Sequence, residues 1–442
     1  MISGKLLTAA YALILAIPPA IALGFGGGHG HEHEEANFAL DLGLAFALEG
    51  ATILMLQPIL AARFKWIERP FGQDMLIRFH RNMAVLAALL LVLHPVLVAA
   101  GENAWFLLYS LNVPWYVWAG KIALILLILN AIFSLGFKWM PFSFEKWRLG
   151  HDVIGPVLLA VILIHALVIG PDVRNTPLIW VFPLFFVIAA SVFLWHRILR
   201  PSLLSDKPWT VTEVSPETDD VCTIKLVPPP GHGFRHLPGQ FHFITLKRGS
   251  DLPEEEHHFT ISSAPEPNGA VTSTIRNIGD FTATICDTKP GDSARVHGPF
   301  GRFSNTLHPE EKRVVFIAGG IGITPVMSML RHMRDVGWPK PALLIYANSS
   351  RDKIVFREEI DAMHENINGF KAVHVLSRPD DGWQGETGHV DRELIERHAA
   401  PFTPDTGWYL CGPQGLIESA ISDLKALGVP EKRMHREIFR FI

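Results

Sequence analysis

Long apolar stretches with few charges fill the first 200 residues of this 442-residue chain. A helix needs about 20 apolar residues to cross a bilayer, because each residue adds about 1.5 Å. Windows of that length fall at 5–24, 38–61, 80–100, 115–137, 151–170 and 178–198. We therefore expect six transmembrane helices. The first window has an alternative, since Lys5, an apolar core and "AIA" at 20–22 also fit a cleaved signal peptide.

From about residue 205 the chain has the charge, Gly and Pro content of a water-soluble protein. The net charge of −4 gives no sign of a nucleic-acid partner. The three cysteines, Cys222, Cys286 and Cys411, are odd in number and show no CxxC spacing. This pattern argues against a disulfide framework, a zinc site or an iron–sulfur cluster, and it fits a reducing cytoplasm.

Basic residues mark one side of the predicted membrane domain. They lie in the second and fourth connections and after the sixth window: Arg63, Lys65, Arg69, Arg78, Arg81, Lys138, Lys146, Arg148, Arg197 and Arg200. The other connections carry almost none beyond Arg174. We therefore expect both termini and the soluble half in the cytoplasm.

Two of the apolar windows carry histidines with the same spacing. His80 and His94 lie 14 positions apart, and so do His151 and His165. Fourteen residues are about 40° short of four helical turns, over roughly 21 Å. Each pair therefore lies on one face of its helix, with one ring near the cytoplasmic end and one deeper.

Two such helices facing each other would form two opposed imidazole pairs at two depths. Each pair can ligate one planar iron porphyrin, and a bis-histidine iron suits electron transfer because it has no open coordination site. A single intramembrane histidine is more simply a packing residue or a proton relay, but the repeated spacing favours haem. Zinc fits poorly, since the histidines of one helix are too far apart for one ion. Arg78, Arg81, Lys146 and Arg148 are either partners for haem propionates or plain membrane anchors.

The soluble half divides into two patterns. After Trp209, short β-branched and aromatic runs such as "PGQFHFITL" and "HHFTISSAP" predict a small antiparallel barrel. From about residue 312, "RVVFIAGGIGITPVMSML" predicts a buried strand, a glycine turn and a helix, which is typical of pyrophosphate binding. "ALLIYANSS", "KAVHVLSRP" and "GWYLCGP" predict further parallel strands.

These segments together resemble the ferredoxin–NADP reductase superfamily from about residue 205 to the end. With the histidine-bearing spans, the whole chain resembles the ferric reductase and NADPH oxidase superfamily, closest to compact bacterial NADPH oxidases. The resemblance implies a multidomain membrane protein: a six-helix dihaem bundle at 1–200, a linker at 201–208, an antiparallel β-barrel FAD domain at 209–308 and a doubly wound α/β NADPH domain at 309–442.

The resemblance also implies flavin contacts. "HHFT" matches the family's HPFT motif, with His258 where the family has proline, so His257, Thr260 and the nearby Ser262 are expected to contact FAD. "IRNIGDFT" matches the segment that holds the flavin pyrophosphate. This match assigns Arg276 as counter-charge, with Gly279 and Thr282 at a helix start. Phe439 or Phe441 is expected to cover the isoalloxazine ring.

The same resemblance assigns the pyridine nucleotide site. "GGIGITP" is expected to hold the pyrophosphate through Gly320, Gly322 and Thr324. "CGP" is expected to border the nicotinamide, with Cys411 near the site of hydride transfer, beside Gly412 and Pro413. Ser350, Arg351, Ser377 and Arg378 resemble residues that grip a 2′-phosphate, so NADPH is the expected donor.

The implied activity is electron transfer from NADPH to FAD, to the haem on His80 and His151, to the haem on His94 and His165, and out to an acceptor. Oxygen, giving superoxide, is the first expectation. Against it, Val98 stands where oxidases of the family often carry another histidine. In the second span, the polar residues Asp41 and Glu49 do not replace an arginine that oxidases carry in that span. A ferric or cupric reductase is the alternative, with His29, His31, His33 and Glu32 gathering ions. A third hypothesis is delivery of electrons to a membrane or periplasmic protein, although no obligatory protein partner is evident.

Overall fold

A computed structural model describes residues 3–25, 37–140, 143–169, 171–249 and 251–438. The chain divides into two compact units, residues 1–200 and 201–442. The first unit is helical and the second carries both β-sheets.

Helices make up the described part of the first unit. They are α1 (Gly4–Phe25), α2 (Phe38–Ala61), α3 (Lys65–Phe71), α4 (Gln73–Gly101), α5 (Phe106–Tyr109), α6 (Trp115–Leu135), α7 (Phe144–Ile169), α8 (Pro171–Arg174) and α9 (Leu178–Leu194). Among the described residues, α1, α2, α4, α6, α7 and the helix that begins with α9 are long and apolar enough to cross a membrane. The predicted six-helix membrane domain is confirmed.

The helix α4 begins before the apolar window that predicts it. Its first turns are polar, and Arg78 donates a hydrogen bond to Asp74 over 2.6 Å, one turn earlier. Such a pair supports a helix without apolar burial. Hydropathy therefore locates the part of α4 inside the membrane but not its start.

Glycines bring α2 and α4 close together. A Cβ atom on Gly50 would lie 2.6 Å from Cγ of Leu91, and one on Gly43 would lie 3.0 Å from Cβ of Leu97. Small residues at these points let the two backbones approach, as is common where membrane helices pack. This contact fixes α2 beside the histidine-bearing α4.

The last membrane helix changes its winding near its end. After α9, residues Trp195–Leu199 form a π-helical segment, followed by α10 (Arg200–Ser205). Arg197 in this segment forms an ion pair with Asp152 of α7. The pair joins the last span to α7 next to His151.

The second unit begins with a six-stranded sheet. Its strands are β1 (Trp209–Thr218), β2 (Val221–Val227), β3 (Phe241–Lys247), β4 (Glu256–Thr260), β5 (Val271–Arg276) and β6 (Ser293–Phe300), with the short helix α11 (Asp280–Ala283) after β5. The order is β4-β3-β6-β1-β2-β5, and all the pairings are antiparallel. Alternate residues face a core around Trp209, Ile224 and Ile244.

A six-stranded parallel sheet follows. Its strands are β7 (Arg313–Gly319), β8 (Ala342–Asn348), β9 (Phe370–Leu376), β10 (Glu386–Thr387), β11 (Thr406–Cys411) and β12 (Met434–Glu437), and its helices are α12 (Ile323–Asp335), α13 (Arg357–Asn366), α14 (Arg392–Ala399) and α15 (Gln414–Ala426). The order β10-β9-β8-β7-β11-β12 carries a separate apolar core on each face. This is the predicted doubly wound fold, whose ligands bind at the carboxyl ends of the strands.

The expectation that the cysteines form no disulfide is wrong. Cys222 on β2 and Cys286 in the turn Ile285–Asp287 form a disulfide, with their Cα atoms 5.8 Å apart. An odd count and the lack of a CxxC spacing do not reveal that the turn after α11 folds back onto β2. Cys411 is free and buried.

Candidate functional site

Two of the four membrane histidines face each other across a gap. His80 of α4 and His151 of α7 have ring centroids 6.3 Å apart, with their planes at 71°. A metal–nitrogen bond of about 2 Å on each side, plus the two ring radii, puts the centroids of two axial imidazoles about 6 Å apart. The separation therefore fits two rings ligating one iron from opposite sides.

The second pair lies deeper in the same helices. His94 and His165 each follow the first histidine of their helix by 14 residues. Nδ1 of His94 lies 2.9 Å from the carbonyl oxygen of Gly43, and Nδ1 of His165 lies 3.1 Å from that of Tyr116. A carbonyl can only accept, so Nδ1 carries the proton and donates it. The lone pair of Nε2 is then free for a metal.

Helix α6 orients both histidines of α7. Besides the Tyr116 carbonyl, it supplies Asn130, whose Oδ1 lies 3.0 Å from Nδ1 of His151. A Cβ atom on Gly120 would lie 2.5 Å from Cε1 of His165, so the ring occupies space that only a glycine leaves. The histidine-bearing helices α4 and α7 thus each pack against a neighbour, α2 and α6 respectively.

The predicted flavin residues lie on and after β4. The ring of His257 stacks on Phe281 of α11 at 4.1 Å, and its Nε2 lies 2.9 Å from Glu255. Thr260 ends β4 and is half-buried. Ser262 is fully buried, and its hydroxyl bonds Thr272 and Thr274 at 2.9 Å each. The structure therefore places the Ser262 hydroxyl in an internal network rather than at an open surface.

Arg276 approaches the glycine turn of the nucleotide domain. Its Nη1 would lie 3.8 Å from a Cβ atom on Gly320. Its Nε donates to Asp220 over 2.8 Å, and Asp220 also accepts from Lys353 over 3.2 Å. Burial raises the pKa of Asp220, but the hydrogen bonds from Arg276 and Lys353 outweigh it and lower that pKa to about 2. The carboxylate of Asp220 therefore holds Arg276 at the turn as a charged pair.

The segment after β5 forms a single helical turn. The hydroxyl of Thr282 accepts hydrogen bonds from the backbone N–H groups of Ile278 and Gly279, each over 2.9 Å. Thr282 thus caps α11 and fixes the backbone beside Arg276. Gly279 and Thr282 lie together, as the motif predicts.

The glycine turn between β7 and α12 has the shape expected for a close backbone approach. Gly320 has φ +52°, a conformation that favours glycine. A Cβ atom on Gly322 would lie 2.4 Å from the carbonyl oxygen of Cys411. Thr324 is buried and bonds the Ile321 carbonyl over 3.1 Å, so its hydroxyl closes the turn.

Cys411 ends β11 directly against this turn. Its side chain is fully buried in the core on one face of the parallel sheet. Burial raises the pKa of its thiol, so the thiol stays protonated at neutral pH. The backbone of Cys411, followed by Gly412 and Pro413, is therefore the part that borders the predicted nicotinamide site.

The four predicted 2′-phosphate residues meet at one edge of the parallel sheet. The N–H groups of Ser377 and Arg378 donate to the carbonyls of Asn348 and Ser349, which joins the segments after β8 and β9. Ser350 and Arg351 follow on the first of these segments. Arg351 also has a partner that the sequence did not indicate, since its Nε lies 3.1 Å from Asp380. Phe439 and Phe441 lie outside the described residues, as do His29, His31, His33 and Glu32.

A separate polar cluster lies at the other end of β11. His308, Glu311 and His435 bring three potential metal ligands within 4.8 Å of one another. The carboxylate of buried Glu311 accepts from Tyr409 and from His435, each over 2.7 Å, and Arg433 lies 3.7 Å away. Since these oxygens are already bonded and a guanidinium adjoins them, the cluster is a polar anchor that ties β12 to the start of β7.

Family models match both halves of this arrangement. Residues 46–163 match the ferric reductase like transmembrane component. This range includes His80, His94 and His151, and it ends just before His165. Residues 316–421, which contain the glycine turn and the "CGP" segment, match the oxidoreductase NAD-binding domain. The chain thus combines a ferric reductase-like transmembrane domain with a reductase domain that binds NAD(P)H. It is a multi-pass membrane oxidoreductase with an FAD- and NAD(P)H-binding half of the ferredoxin-reductase type.

Curated relatives of this ferric reductase-like protein match about half of it. The reductase subunit Stc4 of stachydrine N-demethylase from Rhizobium meliloti is 30% identical over 51% of this chain and 64% of its own length. NADH-cytochrome b5 reductase 1 from Pyricularia oryzae is 30% identical over 44% of this chain and 67% of its own length. The matched part thus spans about two thirds of these relatives.

A solved structure covers more of the chain. The flavohemoglobin from Malassezia yamatoensis, with FAD and heme bound, has a TM-score of 0.50 and 16% identity over 92% of this chain and 99% of its own. At this identity the similarity concerns the fold alone.

Sequence reasoning missed the residues that join the two parts of the flavoprotein half. Arg331 of α12 bonds Glu359 through two nitrogens, at 3.0 and 2.5 Å, and donates to the Ser262 carbonyl over 2.8 Å. Ser328 donates to the Ser263 carbonyl over 2.6 Å. Ser328 and Arg331 lie three residues apart, on the same face of α12. This spacing is the sequence signal that could have indicated a shared contact surface.

Proposed function

We propose that this ferric reductase-like protein carries electrons from cytoplasmic NADPH, through FAD and two b-type haems, to oxygen on the far side of the membrane, giving superoxide. The observation that carries the proposal is the pair His80 and His151, whose rings face each other 6.3 Å apart in helices that also carry His94 and His165 at equal spacing. Nδ1 donates a hydrogen bond to an oxygen in His94, His151 and His165, which leaves Nε2 of each ring free for iron.

The bound groups supply the redox chemistry: FAD accepts a two-electron hydride and releases single electrons, and haem iron takes one electron at a time. The chain positions these groups. The four histidines would hold the two haem irons, and Arg276 would balance pyrophosphate charge. His257, Thr260, Gly279 and Thr282 would line the flavin site. No protein acid or base is needed for hydride transfer.

The nucleotide is held at the carboxyl edge of the parallel sheet. Gly320 and Gly322 let the backbone reach the pyrophosphate, with Thr324 closing the turn. Ser350, Arg351, Ser377 and Arg378 meet where a 2′-phosphate would lie, which favours NADPH over NADH. The backbone at Cys411, Gly412 and Pro413 borders the nicotinamide.

The charge pattern supports the orientation. Arginine and lysine crowd the connections on the side of His80 and His151, which is the cytoplasmic side by the positive-inside rule. We place the protein in the bacterial inner membrane, with the domain boundaries near residues 200, 208 and 308 and with 201–208 as linker.

A ferric or cupric reductase is the second candidate. The match of residues 46–163 to the ferric reductase like transmembrane component favours it. Val98 in place of a further histidine also fits a metal acceptor better than oxygen. The His-rich segment at 29–33 would then gather ions on the outer side.

The acceptor is tested with purified full-length protein supplied with NADPH. Superoxide formation predicts cytochrome c reduction in air that superoxide dismutase abolishes. Metal reduction predicts undiminished ferric-chelate reduction under argon and no dismutase-sensitive signal. If neither reaction proceeds until another membrane or periplasmic protein is added, both candidates are overturned and delivery to that protein replaces them.

A further inference from the structure

The four membrane histidines are not held in the same way. In the outer pair, both Nδ1 atoms face backbone carbonyls, those of Gly43 and Tyr116. In the inner pair, Nδ1 of His151 faces a side chain, Asn130. Nδ1 of His80 is buried and has no hydrogen-bond partner among the described residues.

Asn130 is unusual in its own helix. The polar, non-aromatic residues of α6 are Lys121 near its start, Asn130 and Ser134. They lie one turn apart, and both face His151, at 3.0 Å from Asn130 Oδ1 and 3.5 Å from Ser134 Oγ. A polar amide within an apolar span is costly unless it is hydrogen-bonded, and such residues usually serve a function. The His151 ring is the partner that satisfies the Asn130 oxygen.

We infer that Asn130 is a positioning residue that sets the reduction potential of the iron ligated by His80 and His151. This inference rests on the proposed function, because it requires haem at that pair. The amide oxygen of Asn130 accepts the Nδ1 proton of His151, which fixes the tautomer and the ring angle. It also increases the electron density on Nε2 and so stabilises the oxidised iron.

The backbone carbonyls at the outer pair have the same electronic effect, but a side-chain substitution cannot remove them. The inner site is therefore the one that a single residue can adjust. Removing the amide oxygen makes the inner iron easier to reduce. Replacing it with a carboxylate, a stronger acceptor, makes that iron harder to reduce.

The test is a spectroelectrochemical titration of the full-length protein in detergent, after its haem content has been measured by the pyridine haemochrome method. Asn130→Leu is expected to shift the reduction equilibrium of one haem component at least threefold towards the reduced state. A threefold shift is about 28 mV for one electron at 59 mV per tenfold. Asn130→Asp is expected to shift the same component in the opposite direction. Ser134→Ala, at the longer distance, is expected to have a smaller effect.

The outer haem is the internal control, and its component is expected to stay in place in all three variants. The inference is overturned if two haems bind and neither Asn130 variant moves a component, or if both variants move it in the same direction, as a packing change would. Absence of haem from the wild-type protein overturns the proposed function and the inference together. If Asn130→Leu does not fold, the direction in which Asn130→Asp shifts the reduction potential of the inner haem still tests the inference.

Discussion

Gly120 shows how one missing side chain shapes the proposed haem site. Its Cα faces the ring of His165, and an added Cβ would lie 2.5 Å from Cε1 of that ring. Carbon atoms do not approach so closely without moving. A side chain at position 120 would therefore force the His165 ring to rotate away from the angle at which it bonds the Tyr116 carbonyl.

We predict that Gly120→Ala weakens binding of the outer haem. Disturbing the groups that orient a metal-bound histidine costs roughly 10-fold to 100-fold in affinity. The haem-to-protein ratio of the purified protein should fall from two towards one. Gly24→Ala is the control, because a Cβ there meets nothing within 4 Å and its helix, α1, carries none of the four histidines. An unchanged ratio in Gly120→Ala would contradict this view of the site.

Two buried histidines of the barrel make the free energy of unfolding depend on pH. His242 is fully buried on β3 with its Nε2 2.7 Å from Ser273, and burial lowers its pKa to about 3. Burial likewise lowers the pKa of His236 to about 4. In the unfolded chain both titrate near 6.5. Below about pH 6.5 the unfolded state therefore binds more protons, and the free energy of unfolding falls by about 1.4 kcal/mol per pH unit for each histidine.

We predict that His242→Gln removes one such contribution. Glutamine does not titrate but can still bond Ser273. The temperature of flavin release from the full-length protein should fall less steeply between pH 6.5 and 4.5 in the variant than in wild type. His389→Gln, at an exposed residue, should leave the slope unchanged. Equal slopes in His242→Gln and wild type would show that His242 is protonated in the folded protein.

Among the structural elements, those with a local sequence signal were predicted and those that depend on distant contacts were not. Apolar length predicts the six spans. The glycine turn after β7 and the strand patterns that follow it predict parallel strands, and the family resemblance implies the doubly wound sheet. The spacing of His80 and His94 placed them on one face of α4 because helical geometry is local. No local pattern indicates that Asn130 meets His151 or that Cys222 meets Cys286, since each contact depends on how two elements pack.

The segments after β8 and β9 combine a predicted cation with an unpredicted acid. Arg351 lies in a predicted phosphate site, yet Asp380 already pairs with it at 3.1 Å, and both side chains are partly exposed. A 2′-phosphate bound at this predicted site would compete with Asp380 for the charge of the guanidinium. We therefore expect the Asp380 carboxylate to weaken the interaction between Arg351 and NADPH.

We predict that Asp380→Asn raises kcat/KM for NADPH roughly twofold to fivefold, since an exposed ion pair is worth about 1 kcal/mol or less. NADH, which lacks the phosphate, should show little change. Asp381→Asn removes the same charge from the next residue and is the control. A rise of equal size for both nucleotides, or in both variants, would argue against a specific role for Asp380.

The whole molecule joins a membrane unit to a flavoprotein unit in one chain. The flavoprotein unit binds NAD(P)H, and the membrane unit contains four histidines, of which His80 and His151 face each other. Neither unit alone accounts for transmembrane electron transfer. The central claim is therefore that the histidine pairs hold the haems through which electrons from NADPH cross the membrane.

The most direct measurement is the visible spectrum of purified, full-length protein after NADPH is added under argon, in wild type and in His94→Ala. Wild type should contain two b-type haems per chain and show both reduced. His94→Ala should retain one haem, the one held by His80 and His151, and that haem should still be reduced. Two haems at full stoichiometry in His94→Ala, or wild-type haem that stays oxidised with NADPH, would contradict the account.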